Sequence, residues 1–172
     1  WVQHSRNVAR AAYAISKALT EAGEIQIMPQ SGYILGLLHD IGRRAGRTDM
    51  RHTLDGYRWL LSLGFEDAAR VCLTHSSPIP FAGAGAGKWD CPPEDVDFVQ
   101  NFLERTPLDD YDRLIVLCDS LAQSTGYCLI EKRWVDVVLR YGFNEYTIPK
   151  WKAILAIRQK FERRIGKSIY TL

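Results

Sequence analysis

Apolar residues recur at helical spacing along most of the chain, and this pattern predicts an all-α protein. In the first segment Val8, Ala12 and Ile15 share one helix face. His4 continues that stripe one turn earlier. The predicted helices cover about residues 4–22, 31–42, 53–63, 66–75, 93–105, 110–122, 130–141 and 149–165. Because no alternating apolar and polar run is long enough for a strand, we expect a compact bundle of seven or eight helices that forms one domain over residues 1–172.

The segment at residues 31–42 differs from the other predicted helices because it is apolar nearly all round. Such a pattern is typical of a helix in a central, buried position. We therefore expect this helix to lie in the middle of the bundle and to carry His39 and Asp40 near its C-terminal end.

A long loop is predicted between the fourth and fifth helices, at residues 78–93, where proline and glycine are frequent. It follows His75 directly and contains Phe81, Lys88 and Trp89. The loop is either a lid whose side chains contact a substrate or a plain connector, and the sequence leaves both interpretations open. It is not a nucleotide-binding loop of the Walker type, because the spacing is wrong and no strand precedes it.

Composition limits the class of protein. A hydrophobic content of 47% argues against disorder, and a net charge of +2 does not favour a nucleic-acid or membrane-surface partner. No apolar run is long enough to span a bilayer, and we find no signal peptide. The four cysteines form no C-x-x-C pair, which favours a reducing, cytoplasmic compartment. The oligomeric state stays open.

The candidate chemistry lies in four histidines and two aspartates set among apolar residues. Asp40 and Asp119 both fall in apolar helical segments, and a buried carboxylate is costly unless a cation is near it. We expect neither to have a lysine or arginine partner on its own helix. A divalent metal would supply the charge, and imidazole with carboxylate suits iron, manganese, zinc or nickel.

Each histidine taken singly has a simpler explanation. His4 would be a hydrogen-bonded core residue, His52 would be a residue at a helix start, and His75 would complement the dipole at a helix end. The ordered set of histidines and aspartates on separate helices predicts a metal centre instead.

This arrangement resembles the H…HD…D signature of the HD-domain superfamily of metal-dependent phosphohydrolases. The string from His39 to Gly42 is similar to the HDIG variant of that signature. The resemblance extends from Trp1 to about Gly126, whereas the helices expected at residues 127–172 carry no motif. It implies the fold of an HD-domain bundle.

The resemblance also implies a ligand set. His4, His39, Asp40 and Asp119 match the four core ligands of the family. His52 and His75 match the two extra histidines of its binuclear subgroup, which includes YqeK-type proteins. The GYP signature of the related cyclic-dinucleotide phosphodiesterases is absent.

The activity implied by the resemblance is hydrolysis of a small phosphate ester or nucleotide by a water molecule that the metals activate. Two divalent transition-metal ions are expected (iron, manganese, nickel or zinc, with magnesium also compatible). Asp40 would bridge them, and His52 and His75 would hold the second ion or, with one ion only, act on the substrate. Asp40, His52 and His75 are thus the expected catalytic residues. Two alternatives share this ligand set: an HD-fold mixed-valent diiron oxygenase, and a module that binds metal or nucleotide without catalysis.

Four basic residues are predicted to bind the phosphate of a substrate, since guanidinium and ammonium groups suit phosphate oxygens. They are Arg43, Arg44, Arg47 and Lys88. The alternative for the three arginines is that they complement the dipole at the end of the preceding helix.

Overall fold

Eight α-helices make up most of the computed structural model, which describes residues 1–172. Most of the connecting segments are short, and the longest joins the fourth and fifth helices. The helices are α1 Val2–Glu21, α2 Pro29–Leu38, α3 Arg51–Ser62, α4 Glu66–Thr74, α5 Pro93–Arg105, α6 Asp110–Leu121, α7 Ile130–Tyr141 and α8 Thr147–Ile165. The prediction of an all-α bundle is confirmed, and every predicted helix is present with its ends shifted by a few residues. None of the eight helices combines the length and the apolar character needed to cross a bilayer.

The remaining regular structure is short. Single turns of 3-10 helix occur at Ile41–Ala45, Ala82–Ala84 and Ile169–Thr171. Two strands of two residues each, β1 Ala122–Gln123 and β2 Gly126–Tyr127, form an antiparallel pair after α6. Strands of this length cannot show an alternating pattern, so they could not be predicted from apolar and polar positions.

Helix α2 ends earlier than its apolar pattern predicted. It stops at Leu38, His39 follows it, and the chain then tightens into the 3-10 turn that begins at Ile41. His39 and Asp40 therefore lie where the backbone changes direction and not along a continuous helix.

The prediction that this helix is buried all round is also wrong. Ile34 keeps 53% of its surface exposed, and the buried residues of α2 are Gly32, Leu35 and Gly36. Only the side of α2 that packs on α1, α4 and α6 is covered, because no further helix lies over the other side.

Gly36 allows α1 and α2 to approach closely. A Cβ atom added to Gly36 would lie 2.8 Å from the Cα of Ala9, so the two backbones are nearly in contact there. The close approach sets the C-terminal end of α2 beside the N-terminal part of α1. As a result the ring centroids of His4 and His39 are 5.3 Å apart.

Helix α6 is central to the main core and contacts α1, α2, α4, α7 and α8. Its Leu114, Ile115 and Leu117 are fully buried, and Trp134 of α7 and Phe161 of α8 belong to the same apolar cluster. A smaller cluster joins α3, α4, α5 and the loop before α5. The last two helices are therefore packed on the same core as the first six.

Asp112 connects α4 to α6 through a buried polar network. It forms a capping box with Asp109, whose side chain accepts a hydrogen bond from the Asp112 N–H at 2.9 Å. The Asp112 carboxylate also accepts hydrogen bonds from the guanidinium of Arg70 and, at 2.7 Å, from the hydroxyl of Thr74. Because Thr74 precedes His75, this network fixes the end of α4 relative to α6.

The Gly36→Ala substitution is expected to lower the free energy of unfolding by about 2 kcal/mol, because the new methyl group would push apart the two helix backbones. That loss exceeds the gain of about 1 kcal/mol that alanine brings to a helix interior. Urea denaturation measures it. The matched control is Gly32→Ala, whose nearest neighbour is the hydroxyl of Ser16, which can rotate away. A Gly36→Ala protein as stable as the wild type would contradict the close backbone contact.

Candidate metal centre

The six side chains predicted as metal ligands all reach one place in the fold, although they come from five separate segments. They are His4 in α1, His39 and Asp40 after α2, His52 at the start of α3, His75 directly after α4 and Asp119 in the last turn of α6. Their assembly depends on helix ends, because most of them lie in a first or last turn or just beyond one.

The first group of ligand atoms is formed by His4, His39 and Asp119, whose donor atoms lie within 4.8 Å of one another. The Asp119 Oδ1 atom is 2.9 Å from the Nε2 of His4 and 4.0 Å from the Nε2 of His39. Two imidazoles and one carboxylate at this spacing suit a divalent transition metal.

The second group is formed by His39, Asp40 and His75, also within 4.8 Å. The Asp40 Oδ1 atom is 3.8 Å from the Nε2 of His75 and 3.0 Å from the Nε2 of His52, which extends the group. The Asp40 Oδ2 atom is 4.0 Å from the Nε2 of His39. His39 is the residue that the two groups share, and Asp40 belongs to the second group.

The histidine tautomers fit metal binding. The Nδ1–H groups of His39 and His75 donate to the carbonyl oxygens of Gly36, at 2.7 Å, and Cys72, at 3.0 Å. The Nδ1–H of His52 likewise donates to a backbone carbonyl oxygen, that of Asp49. With the proton on Nδ1, the Nε2 atoms of the His39 and His75 rings each present a lone pair to the cluster, as in metal sites whose ligands are oriented by a second hydrogen bond.

One atom in this cluster has no partner. The Nε2 of His39 is buried and makes no hydrogen bond. An unsatisfied polar atom of this kind costs about 1–3 kcal/mol. Because His39 lies in both groups, a divalent cation bound there would satisfy its lone pair, and the residues present therefore fit a metal.

The charge states also suit metal binding. Burial lowers the pKa of His39, and it lowers the pKa of His75 to about 3, so both rings are neutral at pH 7. Burial acts to raise the pKa of Asp40, but His39 and the hydrogen bond from His52 hold it well below its usual value. The pKa of Asp119 is also lowered: burial acts to raise it, and the hydrogen bond from His4 is the main influence that lowers it. Neutral imidazoles and ionised carboxylates are the forms that bind metals.

A family model described as HD domain matches residues 1–124. The chain belongs to the HD domain family. The match includes all six clustered residues and ends before α7, so the last two helices lie outside it. No curated protein and no solved structure matches the chain significantly.

Asp40 of this HD domain has an arginine partner, contrary to the sequence prediction. The Nε of Arg43 donates to the Asp40 Oδ2 atom at 2.9 Å. Arg43 stands three residues after Asp40, a spacing at which helical side chains can meet, and the prediction missed the pair because the helix was expected to end at Gly42. Asp119 also has a cation near it, because the Nη2 atom of Arg133 lies 4.0 Å from its Oδ1.

A cleft of about 900 Å³ opens over this cluster, and all of the six clustered residues except His39 line it. One wall is formed by parts of the segments 43–50 and 84–88, and another by α7 and the start of α8. The basic side chains that line it are Arg43, Arg47, Lys88, Arg133, Arg140 and Lys150. The acidic ones are only Asp40, Asp49 and Asp119.

Three of the four basic residues predicted to bind phosphate thus line the cleft, and Arg44 does not. The guanidinium of Arg44 lies 4.2 Å from the ring centroid of Trp59, in a cation–π contact. Consecutive residues of a 3-10 turn point about 120° apart, which separates Arg44 from Arg43.

The basic residues of α7 and α8 were missed at the sequence level. Arg133, Arg140 and Lys150 belong to no motif, and amphipathic helices usually carry such residues on a solvated face. Only the packing of these helices beside the metal centre shows that one of their faces lines the cleft.

The loop before α5 forms a fixed part of the cleft wall. The Lys88 N–H donates to the carboxylate of Asp49 at 2.7 Å, and the Lys88 carbonyl accepts from the Met50 N–H at 3.0 Å. Asp49 also holds His52 through its carbonyl, so the loop and a candidate ligand share one anchor. Phe81 and Trp89 do not line the cleft, whereas Lys88 does.

The metal-free protein is expected to lose stability as the pH falls. A histidine in the unfolded chain has a pKa of about 6.5, whereas the pKa of His75 in the folded protein is about 3. Between these two pH values the unfolded chain therefore binds more protons than the folded protein. One such proton gives a slope of about 1.4 kcal/mol per pH unit. Urea denaturation in chelator at a series of pH values measures the slope. It should flatten in a His75→Asn protein, and an unchanged slope in that variant would argue against a buried, neutral His75.

Metal content tests the ligand set directly. The Asp40→Ala protein is expected to lose both ions. In the wild type the Asp40 carboxylate contacts His52 and His75 and faces His39. His52→Ala is expected to lose one, because His52 contacts only the second group. Elemental analysis of proteins purified without chelator gives the stoichiometry, and the rise in melting temperature on adding Mn²⁺, Ni²⁺ or Zn²⁺ gives an independent measure. The same metal content in wild type and both variants would exclude this ligand set.

Proposed function

We propose that this HD domain hydrolyses a small phosphate ester, either a phosphodiester or a nucleotide, at a centre of two divalent cations. The observation that supports this proposal is the charge of the cleft. Six basic side chains face three carboxylates there, whereas the whole chain carries a net charge of only +2. A cleft that concentrates positive charge above a metal centre suits an anionic substrate.

The proposal assigns the cations to the two groups of ligand atoms described above. Divalent cations held there would lower the pKa of water and offset the charge on phosphoryl oxygens. His4, His39 and Asp119 would hold the first ion, His52 and His75 would hold the second, and the carboxylate of Asp40 would supply an oxygen to each. The presence of all six side chains in one cluster supports placing the chain in the binuclear, HDIG-type part of the family, where YqeK-type proteins lie.

The side chains of the cleft would bind and orient the substrate. Arg43 lies beside Asp40, and Arg47 and Lys88 continue the same wall. A guanidinium group donates to two phosphate oxygens at once, so it fixes orientation as well as charge. With only one ion bound, His52 or His75 would be free to donate a proton or to hold phosphate.

The unit that we propose as functional is the whole of residues 1–172. Helices α7 and α8 share the main core with α1 and α6, and they supply half of the basic residues of the cleft. The four cysteines are all free, which supports a reducing compartment such as the cytoplasm.

Hydrolysis of bis-p-nitrophenyl phosphate by the manganese-loaded protein under anaerobic conditions is the first test. Arg43→Gln is expected to lower kcat/KM by about 10- to 100-fold, the effect of one charged hydrogen bond. Arg44→Gln is the matched control, because this neighbouring arginine stacks on Trp59 outside the cleft, and it should change kcat/KM by less than about threefold. Equal losses in the two variants would remove Arg43 from the substrate site.

Two other outcomes would replace the proposal. Oxygen uptake by the iron-loaded protein on addition of a phosphonate or polyol, without anaerobic hydrolysis, would indicate an oxygenase. A protein that holds its metal but turns over no compound in a broad phosphoester panel would be a binding module.

A further inference from the structure

We infer that Arg133 of α7 and Lys150 of α8 form a second anion-binding site, which holds a second phosphate group of the substrate. The inference rests on the proposed function for the first phosphate, which would lie at the metal centre. It assigns to this domain a substrate with two phosphoryl groups and gives a role to the helices that lie outside the matched residues 1–124.

The two ends of the ligand cluster each carry an arginine. Arg43 lies at the Asp40 end and donates to that carboxylate at 2.9 Å. Arg133 lies at the Asp119 end, 4.0 Å from its carboxylate. Because the two arginines lie beside different carboxylates, a phosphate group held beside Arg43 would leave the cations of α7 and α8 free for another anion.

The guanidinium of Arg133 is poorly satisfied by the protein itself. Its side chain makes no hydrogen bond, and its one acidic neighbour, Asp119, already accepts from the Nε2 of His4 at 2.9 Å. Arg164 of α8 differs in this respect, because it donates to both Glu24 and Asp110. Arg133 thus has donors available to a ligand, whereas Arg164 has a structural role.

Lys150 is the second cation without a partner. It lies in the first turn of α8, lines the cleft, and has no carboxylate within 4.0 Å of its ammonium group. Burial lowers its pKa to about 8, against the opposing influence of Asp119. A partly buried ammonium group without a counter-ion is costly. An anion bound in the cleft would offset that cost and keep the lysine charged.

A stacked pair of indole rings fixes the position of both cations. Trp134 follows Arg133 in the chain, and Trp151 follows Lys150. Their ring centroids are 4.9 Å apart and the rings are nearly parallel, at 4°. This contact holds α7 against α8, so the spacing between Arg133 and Lys150 is set by packing and not by flexible side chains alone.

The size of the cleft agrees with a substrate larger than one phosphate. Its volume of about 900 Å³ is in the upper part of the range for small-molecule sites, about 300–1,000 Å³. Much of the cleft lies beyond the metal ligands, along the wall that α7 and α8 form.

Calorimetric titration of the metal-loaded wild-type protein tests the site with three probes. They are adenosine 5′-monophosphate, adenosine 5′-diphosphate and adenosine 3′,5′-bisphosphate, which share one nucleoside and differ in the number and spacing of phosphates. At least one of the two-phosphate probes is expected to bind about tenfold more tightly than the monophosphate. If neither of them binds more tightly, the inference is overturned.

The variants Arg133→Gln and Lys150→Gln should each abolish this preference while changing the affinity for the monophosphate by less than about twofold. Lys132→Gln and Lys152→Gln are the matched controls, because each lies near the altered residue on the same helix but outside the cleft. They should retain the preference. Metal content is measured in every variant. If a variant lost affinity for the monophosphate to the same extent as for the two-phosphate probes, Arg133 would act through Asp119 and the metals. That result would overturn the second site.

Failure of the second site can be distinguished from failure of the proposed function. If the protein hydrolyses bis-p-nitrophenyl phosphate anaerobically but does not prefer the two-phosphate probes, the proposed function is supported and the second site is overturned. A preference that depends on Arg133 and Lys150, in a protein that hydrolyses no phosphoester, would support the second site and reject the hydrolase.

Discussion

The structure depends on one constraint: four imidazoles and two carboxylates are held together among helices that are otherwise packed through apolar side chains. Polar groups in such a place must find partners, since leaving them unpaired costs free energy. The chain satisfies part of this need by itself, because the Nδ1–H groups of His39, His52 and His75 donate to backbone carbonyl oxygens. The Nε2 atoms are directed at the two carboxylates, and the buried Nε2 of His39 has no hydrogen-bond partner.

The same constraint explains why the ends of helices converge at this point. A carbonyl oxygen near the end of a helix has no partner within the helix, so it can accept from a histidine ring. Gly36 and Cys72 supply such carbonyls from the last turns of α2 and α4, each three residues before the histidine that it orients. Helix ends thus orient the rings as well as delivering them to the site.

Local patterns of the sequence predicted the helices and the six clustered residues, because helical periodicity and the apolar surroundings of His39, Asp40 and Asp119 are visible in short stretches. The pairing of Arg43 with Asp40 was also visible in the sequence, because Arg43 stands three residues after Asp40, a spacing at which helical side chains meet. It was overlooked because the helix was expected to end at Gly42. The exposed face of α2, in contrast, was not predictable, since only tertiary packing decides which apolar face is covered.

Under the proposed function, the Arg43 pair would also link the metals to the substrate. The guanidinium of Arg43 donates to the Oδ2 atom of Asp40, and the Oδ1 atom lies 3.0 Å from the Nε2 of His52 and 3.8 Å from that of His75. A cation bound at this carboxylate would weaken its attraction for Arg43 and so make the N–H donors of Arg43 more available to phosphate. The cation and the anion would then favour each other's binding, because each would remove an interaction that opposes the other, and such coupling is reciprocal. A centre built in this way would hold an anionic substrate well only with its metals in place.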